Sequence, residues 1–162
     1  MTDGIAVRDA RFDEIGYVIE MTRLMVCEME RYGGRQATSD ETAWNGHAAW
    51  IVAELKTDNL KCLIAEAADS NRIGLGGARI NTLEGVFAPK KIIHIGILFV
   101  LPSFRRKGVA SKLISEMLDW GKSAGGDYFD LNVLVGNPAR SLYQKFGFSD
   151  AAINMIRPIA AS

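Results

Sequence analysis

The chain has 162 residues, of which 48% are hydrophobic, and its 19 basic and 19 acidic residues give a formal net charge of zero. This length predicts one domain over residues 1–162 that buries its own core. The balanced charge predicts no binding to nucleic acid or to an anionic membrane surface. The N-terminal residues do not have the pattern of a signal peptide, and no apolar run approaches the roughly 20 residues that span a bilayer. We therefore expect a cytoplasmic protein, and because Cys27 and Cys62 lack metal-ligand spacing, we expect no metal site.

The apolar patterns predict strands and helices that alternate along the whole chain, without a linker or an internal repeat. In chain order they are a strand over residues 4–9, a helix over 12–31, a helix over 38–55, a hairpin over 61–67 and 72–80, a strand over 92–100, a helix from about 107, a strand over 128–135, a helix over 138–146 and a strand over 153–159. Thr38 and Glu41 have the spacing of a capping box at the start of the second helix. Gly76–Gly77 predicts a bulge in the hairpin. This order predicts a layered α/β or α+β fold.

Residues 100–111 join the end of an apolar strand, a basic turn and the start of a helix. Pro102 ends the strand because it fixes φ and has no N–H donor. Apolar residues at three- and four-residue spacing predict a helix that begins near Gly108. Its free first-turn N–H groups and the positive end of its dipole face the turn. A basic turn in solvent needs no ligand, but small residues beside a helix start favour a pyrophosphate site.

This turn resembles the acyl-CoA pyrophosphate loop of the GNAT superfamily, the CoA-dependent N-acetyltransferases. The family pattern is Arg or Gln, two residues, Gly, one residue, and Gly or Ala, and here these are Arg105, Gly108 and Ala110. About thirty residues downstream, Asn137–Phe148 resembles the second family signature, a helix that ends in Tyr-x-Lys-x-Gly-Phe. The resemblance covers essentially the whole chain. It implies the GNAT fold, a central mixed, mostly antiparallel twisted sheet of six to seven strands flanked by about four helices.

The resemblance also implies a function, the transfer of an acetyl group from acetyl-CoA, as co-substrate, to a primary amine by direct attack in a ternary complex. It implies the following cofactor-binding residues: Val100, Arg105, Arg106, Lys107, Gly108, Val109, Ala110, Ser111 and Asn137. Val100 would also be the nearest backbone donor for the tetrahedral oxyanion. Asn137 could equally be a helix cap.

Two residues are candidates for catalysis. Tyr143, in the second signature, would protonate the departing thiolate, although its ring could also simply pack under its helix. Many relatives carry a general base about eleven residues before the first residue of the loop pattern, and that position is His94. Imidazole, with an ordinary pKa near ~6.5, suits proton abstraction at neutral pH, although a lone His in a strand is often structural. Glu84, in the loop before this strand, is the alternative base.

The acceptor is a small-molecule or peptide amine, and the sequence leaves this choice open. The first two helices would wall its pocket, where Tyr32, Trp44 and His47 could shape it, although Trp44 is at least as well suited to the core. Glu28 and Glu30 could attract a cationic amine or simply lie on the solvent-facing side of their helix. A second class of function also remains, a non-catalytic acyl-CoA-binding sensor or interaction module of the same fold. Exposed strand edges and the habit of the family predict a homodimer.

Overall fold

The computed structural model describes residues 4–157 and residue 159, and these residues form one sheet with helices on both faces. The strands are β1 (Ala6–Asp9), β2 (Leu60–Glu66), β3 (Arg72–Leu83), β4 (Lys90–Val100) and β5 (Tyr128–Leu131). The helices are α1 (Ile15–Met29), α2 (Glu41–Lys56), α3 (Val109–Ser123) and α4 (Ala139–Lys145), with 3₁₀ turns at Phe12–Glu14, Glu30–Tyr32 and Pro102–Phe104. The strand order is β1-β2-β3-β4-β5, antiparallel except for the parallel pair β4 and β5.

This architecture confirms the predicted fold class, a mixed and mostly antiparallel sheet flanked by four helices. The described residues contain five strands rather than six or seven. The strand predicted over residues 153–159 is absent from its described part, where Ile153 and Met155 have relative exposures of 88% and 89%; Pro158 lies outside the described residues. A β-forming pattern becomes a strand only when a neighbouring backbone pairs with it, and no described strand does so here.

The two faces of the sheet bury separate parts of the core. On the α3 face, Val109, Leu113 and Met117 form the apolar stripe of α3 and are almost fully buried against the sheet. On the α1–α2 face, Val18 and Ile51 are buried against the opposite side. The sheet is thus held between three helices, so the relative positions of its strands are fixed.

A bulge in β4 divides the strand into two halves. Gly77 pairs with Ile97, but Ala78 pairs with Ile95, so the extra residue is Gly96. The hairpin does change register beside Gly77, where a bulge was predicted, but the extra residue belongs to the neighbouring strand. Because side chains alternate along a strand, the bulge reverses the facing: Ile95 packs on the α3 face and Ile97 on the α1–α2 face.

The start of α2 corrects a second prediction. The N-cap is Asp40, whose carboxylate accepts a hydrogen bond from the Thr42 N–H at 2.9 Å. The Thr38 hydroxyl instead accepts from the Asp40 N–H at 3.1 Å, so Thr38 stabilises the cap but does not form it. The capping box at Thr38 is therefore wrong by two residues. A carboxylate is an equally good N-cap, and the backbone path decided between them.

An ionic cluster around the buried carboxylate of Glu14 closes the sheet at its β1 edge. The Arg8 guanidinium donates to both carboxylate oxygens of Glu14, at 2.7 and 2.8 Å, and through Nε to Glu66 at 3.0 Å. The Arg11 N–H donates to Glu14 at 3.0 Å. Glu14 is only 4% exposed, and the hydrogen bonds from Arg8 lower its pKa from 4.5 to about 2. Every strong donor here meets an acceptor within the protein.

Candidate active site

A cleft opens where β4 and β5 separate. The parallel pairing runs from Ile92–Tyr128 to Ile95–Leu131, after which β5 ends while β4 continues to Val100. Between the separated segments lies a cleft of about 730 Å³. Its walls come from the second half of β4, the C-terminal part of α1, the start of α3, the chain after β5, and α4. We call this the β4–β5 cleft.

Backbone groups of β4 face into the cleft. The Leu101 N–H donates to the Ile73 carbonyl of β3 at 3.0 Å. Because backbone groups of successive residues point to opposite sides of a strand, the N–H and C=O groups of Val100 and Leu98 point away from β3. The Val100 carbonyl accordingly accepts from Nε of Arg105 at 2.8 Å. The N–H groups of Leu98 and Val100 are therefore directed at the side of β4 that β5 has left.

At the mouth of the cleft lie the basic turn and the start of α3, residues 105–111, which we call the cradle. Arg106 and Gly108 both have left-handed backbone, with φ of 62° and 84°. Such a conformation is uncommon for a residue with a side chain, and it turns the loop sharply into α3. The Lys112 N–H bonds the Gly108 carbonyl at 3.1 Å, so the N–H groups of the three preceding residues have no partner within the helix. These donors and the helix dipole make the mouth electropositive.

The three basic side chains of the turn have different surroundings. Arg105 donates to the Glu28 carboxylate at 2.6 Å and lies over the Phe99 ring, so its charge is paired with α1. Arg106 lines both the cleft and a neighbouring pocket of about 550 Å³, whereas Lys107 lines that second pocket alone. The predicted cofactor residues thus all line the cleft except Lys107.

Asn137 and Tyr143 enter the cleft from the α4 side. The Asn137 side-chain oxygen accepts from the Ala139 N–H at 2.9 Å, which is the cap interaction that the sequence left open. The Tyr143 ring packs edge-on against Phe148, with 6.1 Å between the ring centres. Burial raises the pKa of Tyr143 to about 12. A tyrosine hydroxyl with an ordinary pKa near ~10 is already protonated at neutral pH, and this shift keeps it protonated.

His94 belongs to the second-last residue pair of β4 and β5, just before these strands separate. Its register partners are Arg79 on β3 and Asp130 on β5. Its Nδ1 lies 2.8 Å from the Asp130 carboxylate, and its side chain is 19% exposed. His94 itself does not line the cleft, but Gly96 does, and a Cβ at Gly96 would lie only 3.8 Å from Nε2 of His94. The missing side chain of Gly96 thus leaves the Nε2 edge of the ring open beside the cleft.

The alternative base, Glu84, lies far from this point. It is exposed in the loop that follows β3, beyond the last pair of the β3–β4 hairpin, Leu83–Lys90. The loop is at the opposite end of β4 from the cradle.

Asp130, by contrast, was missed by the sequence reasoning. It is 36 residues from His94 in the chain, and only the register of the parallel pair brings the two together.

Only some of the residues predicted to shape the acceptor pocket line the cleft. Tyr32 and Glu28 line the cleft. Trp44 is 8% exposed, and its indole N–H donates to the Thr38 carbonyl at 3.0 Å, so it is a core residue. His47 stacks on Trp50 at 5.5 Å between ring centres, and burial lowers its pKa.

Across residues 4–157 and 159, no helix is both long and apolar enough to cross a bilayer. The same residues bring together no group of three or more His, Cys, Asp or Glu side chains that could hold a metal ion.

Comparison with known families decides what kind of protein has this cleft. A model of the acetyltransferase (GNAT) family matches residues 20–148. The chain belongs to this family. The match spans both signatures and the cradle, and it confirms the resemblance drawn from the sequence. An acyltransferase of the GNAT type is the class of enzyme that this membership supports.

The names of individual relatives refer to different acceptors of the acetyl group. The chain is 33% identical over 99 residues to aminoglycoside N(6')-acetyltransferase type 1 of Salmonella typhimurium, covering 59% of this chain and 67% of that enzyme. It is 28% identical over 158 residues to an N-alpha-acetyltransferase of Saccharolobus solfataricus, covering 91% and 81%. A match to the human cysteine-rich protein 2-binding protein, 42% over 55 residues, spans only 7% of that protein.

Among solved structures, one similar fold is that of AAC(6')-Iy in complex with a bisubstrate analogue, CoA-S-monomethyl-acetylneamine. The TM-score is 0.73 over 97% of this chain and 99% of that one, at 21% identity. At this identity the similarity concerns the fold.

Proposed function

We propose that this GNAT protein transfers an acetyl group from acetyl-CoA to a primary amine of a small molecule, by direct attack in a ternary complex. The observation that carries the proposal is the continuity of the β4–β5 cleft, which leads from the electropositive start of α3 to the point where the strands part beside His94. The similarity to an aminoglycoside acetyltransferase supports a small-molecule amine as the acceptor.

The residues at the mouth fit the pyrophosphate of CoA. The free N–H groups at the start of α3 donate to phosphate oxygens, and Arg106 adds a positive charge. Lys107 acts from the neighbouring pocket, and Arg105 acts by tying β4 to α1 through Glu28. When bound, acetyl-CoA supplies the activated acyl group as a thioester. The chain itself binds the phosphates, directs the long arm along β4 and handles the protons.

The backbone N–H groups of Leu98 and Val100 contact different parts of acetyl-CoA in this proposal. Because the bulge at Gly96 takes one residue out of the pairing, Val100 is about 17 Å from His94 along the strand, and Leu98 is about 10 Å away. The acyl carbon must lie near the amine that His94 activates, so the backbone N–H nearer to His94 is the better placed of the two to hold its oxygen. We therefore assign the oxyanion contact to the N–H of Leu98 and leave Val100 to bind the pantetheine arm.

His94 and Tyr143 handle the protons. An alkyl ammonium must lose a proton before it can attack, and His94 accepts it at Nε2, directly or through water. The amine nitrogen then bonds to the acyl carbon, the carbon–sulfur bond breaks, and the Tyr143 hydroxyl protonates the leaving sulfur. A tyrosine hydroxyl is protonated at neutral pH, so Tyr143 carries the proton that this step needs. The second proton of the nitrogen, which it loses as the amide forms, returns through water to the Tyr143 phenolate.

Mass spectrometry of purified protein with acetyl-CoA and a panel of amines tests the proposal. The panel contains aminoglycosides, amino acids and peptides with free N-termini. Wild type is expected to acetylate a small-molecule amine, and His94→Ala is expected to be ~10²-fold slower or more with acetyl-CoA binding unchanged. The control is His47→Ala, which removes the other histidine, on α2 and outside the cleft.

Two results would contradict the proposal. Acetylation of peptide N-termini alone would move the acceptor to the class of the archaeal relative. Binding of acetyl-CoA in calorimetry, without turnover on any amine, would favour the non-catalytic acyl-CoA-binding module.

A further inference from the structure

We propose that Asp130 is a positioning residue for His94. Its carboxylate holds the imidazole with the hydrogen on Nδ1, and this leaves Nε2 as the proton acceptor on the cleft side. The inference rests on the proposed function, in which His94 receives the proton of the attacking amine. The proposed base would then consist of two residues on neighbouring strands, His94 of β4 and Asp130 of β5.

The hydrogen bond itself defines the tautomer. Nδ1 of His94 and Oδ1 of Asp130 are 2.8 Å apart. An ionised carboxylate only accepts hydrogen bonds, so Nδ1 must carry the hydrogen. A neutral imidazole has one N–H, and Nε2 therefore has the free lone pair. Without such a partner nothing selects this tautomer.

The sheet fixes the direction of the pair. Directly opposite residues on neighbouring strands share a face, and Arg79, opposite His94, extends over the Trp50 ring of α2 at 6.0 Å. His94 and Asp130 therefore lie on the α1–α2 face. Both belong to regular paired strand segments, so their backbones are held in register. In the described residues, His94 is the one side-chain partner of Asp130, which is 49% exposed and carries no competing ion pair.

The surroundings of Nε2 suit a proton acceptor. The next residue pair, Ile95–Leu131, is the last before the strands separate. Gly96 then bulges out of β4, lines the cleft, and offers no side chain to cover the ring edge. After Nε2 takes the proton from the ammonium, the imidazolium keeps its Nδ1–H on Asp130, and the carboxylate offsets the new positive charge. The proton then passes to solvent when the product leaves.

The tautomer can be measured without turnover. Long-range ¹H–¹⁵N correlation NMR at alkaline pH distinguishes an imidazole with hydrogen on Nδ1 from one with hydrogen on Nε2. The chain has only two histidines, so His47→Gln assigns the remaining signal to His94. We expect the Nδ1–H form in wild type and a shift toward the Nε2–H form in Asp130→Asn. An Nε2–H form in wild type would overturn the inference even if the enzyme is active.

Kinetics tests whether this tautomer matters. Asp130→Asn is expected to lower kcat about 10- to 100-fold with KM for acetyl-CoA nearly constant, and Asp130→Glu is expected to recover part of the loss. The control is Asp127→Asn, which removes another carboxylate that bonds β4, through the Lys91 N–H at 2.8 Å, without contacting His94. It should keep the wild-type rate.

A double-mutant cycle separates this inference from the proposed function. If Asp130 acts through His94, then Asp130→Asn should cost nothing further in the His94→Ala background. Additive losses, or an unchanged rate in Asp130→Asn beside a slow His94→Ala, would overturn the positioning role alone. An unchanged rate in His94→Ala would instead remove the base from the proposed function, and the positioning role with it.

Discussion

The two edges of the sheet use polar groups in opposite ways. At the β1 edge, Arg8, Glu14 and Glu66 satisfy one another in a partly buried cluster. At the β4–β5 cleft, the N–H groups of Leu98 and of the first turn of α3 point into open space. A closed cluster stabilises the fold, whereas donors held rigidly without a partner can bind a ligand. Mutations at the two edges should therefore separate stability from activity.

The largest effect is expected at Tyr143. Tyr143→Phe should lower kcat by about 10- to 1000-fold while KM for acetyl-CoA and the melting temperature change little, because one hydroxyl is lost and the ring stays packed on Phe148. Steady-state kinetics and thermal unfolding measure both. The loss should shrink with an acyl donor whose leaving group has a lower pKa.

Tyr17→Phe is the control for that variant. Burial also raises the pKa of Tyr17 to about 12, but its hydroxyl has no partner among the described residues and lies outside the cleft. It should leave kcat unchanged. A wild-type kcat in a folded Tyr143→Phe protein would rule out the acid role.

The ionic cluster at the β1 edge should affect the stability of the protein and how that stability depends on pH. The pKa of Glu14 is lowered from 4.5 to about 2, so its ion pairing stabilises the protein above the unfolded-state value. This contribution, of the order of 3 kcal/mol, is lost as the pH falls from about 5 to about 2, because the unfolded state binds the proton first. Urea denaturation should find Glu14→Gln less stable at neutral pH, with the difference from wild type shrinking in acid.

Asp13→Asn is the control for this edge. Its carboxylate is 72% exposed and pairs with Arg11 at 3.2 Å, so its loss should change stability by less than about 1 kcal/mol. Catalytic rates should be normal in both variants under native conditions. A stability difference for Glu14→Gln that did not depend on pH would contradict the ionic account of the cluster.

A smaller effect is expected at the mouth of the cleft. Gly108→Glu places bulk and negative charge against the cradle, and should weaken acetyl-CoA binding at least ~10-fold in calorimetry. Gly85→Glu is the control, since Gly85 has a similar φ of 82° but lies in the open β3–β4 loop. Equal affinity in a folded Gly108→Glu protein would remove the cradle from the site.

The smallest effect is expected at Gly96. A Cβ there would contact His94 Cδ2 at 3.5 Å and Nε2 at 3.8 Å, which is ordinary packing, so Gly96→Ala should fold. It should lower kcat by roughly twofold to tenfold, since it restricts the approach of water to the proposed base. Gly46→Ala, at an open position of α2, should leave the rate unchanged. A normal rate in Gly96→Ala would mean that Nε2 is reached from another side.

The sequence by itself determined the features that depend on neighbouring residues. The basic turn, Gly108 and the apolar stripe of α3 lie within a few residues of one another, so their pattern predicts a helix start and an anion site directly. The order of strands and helices, and with it the layered fold, follows from the same local periodicity.

Only the tertiary structure decided which distant residues meet. The Arg105–Glu28 pair spans 77 residues, and the His94–Asp130 pair spans 36. The predicted last strand has the right local pattern but no described partner, and the bulge falls at Gly96 rather than at Gly76–Gly77 because its place depends on two strands together. Local periodicity sets which face a side chain takes, whereas the register between strands, which builds the site, is set by packing across the whole sheet.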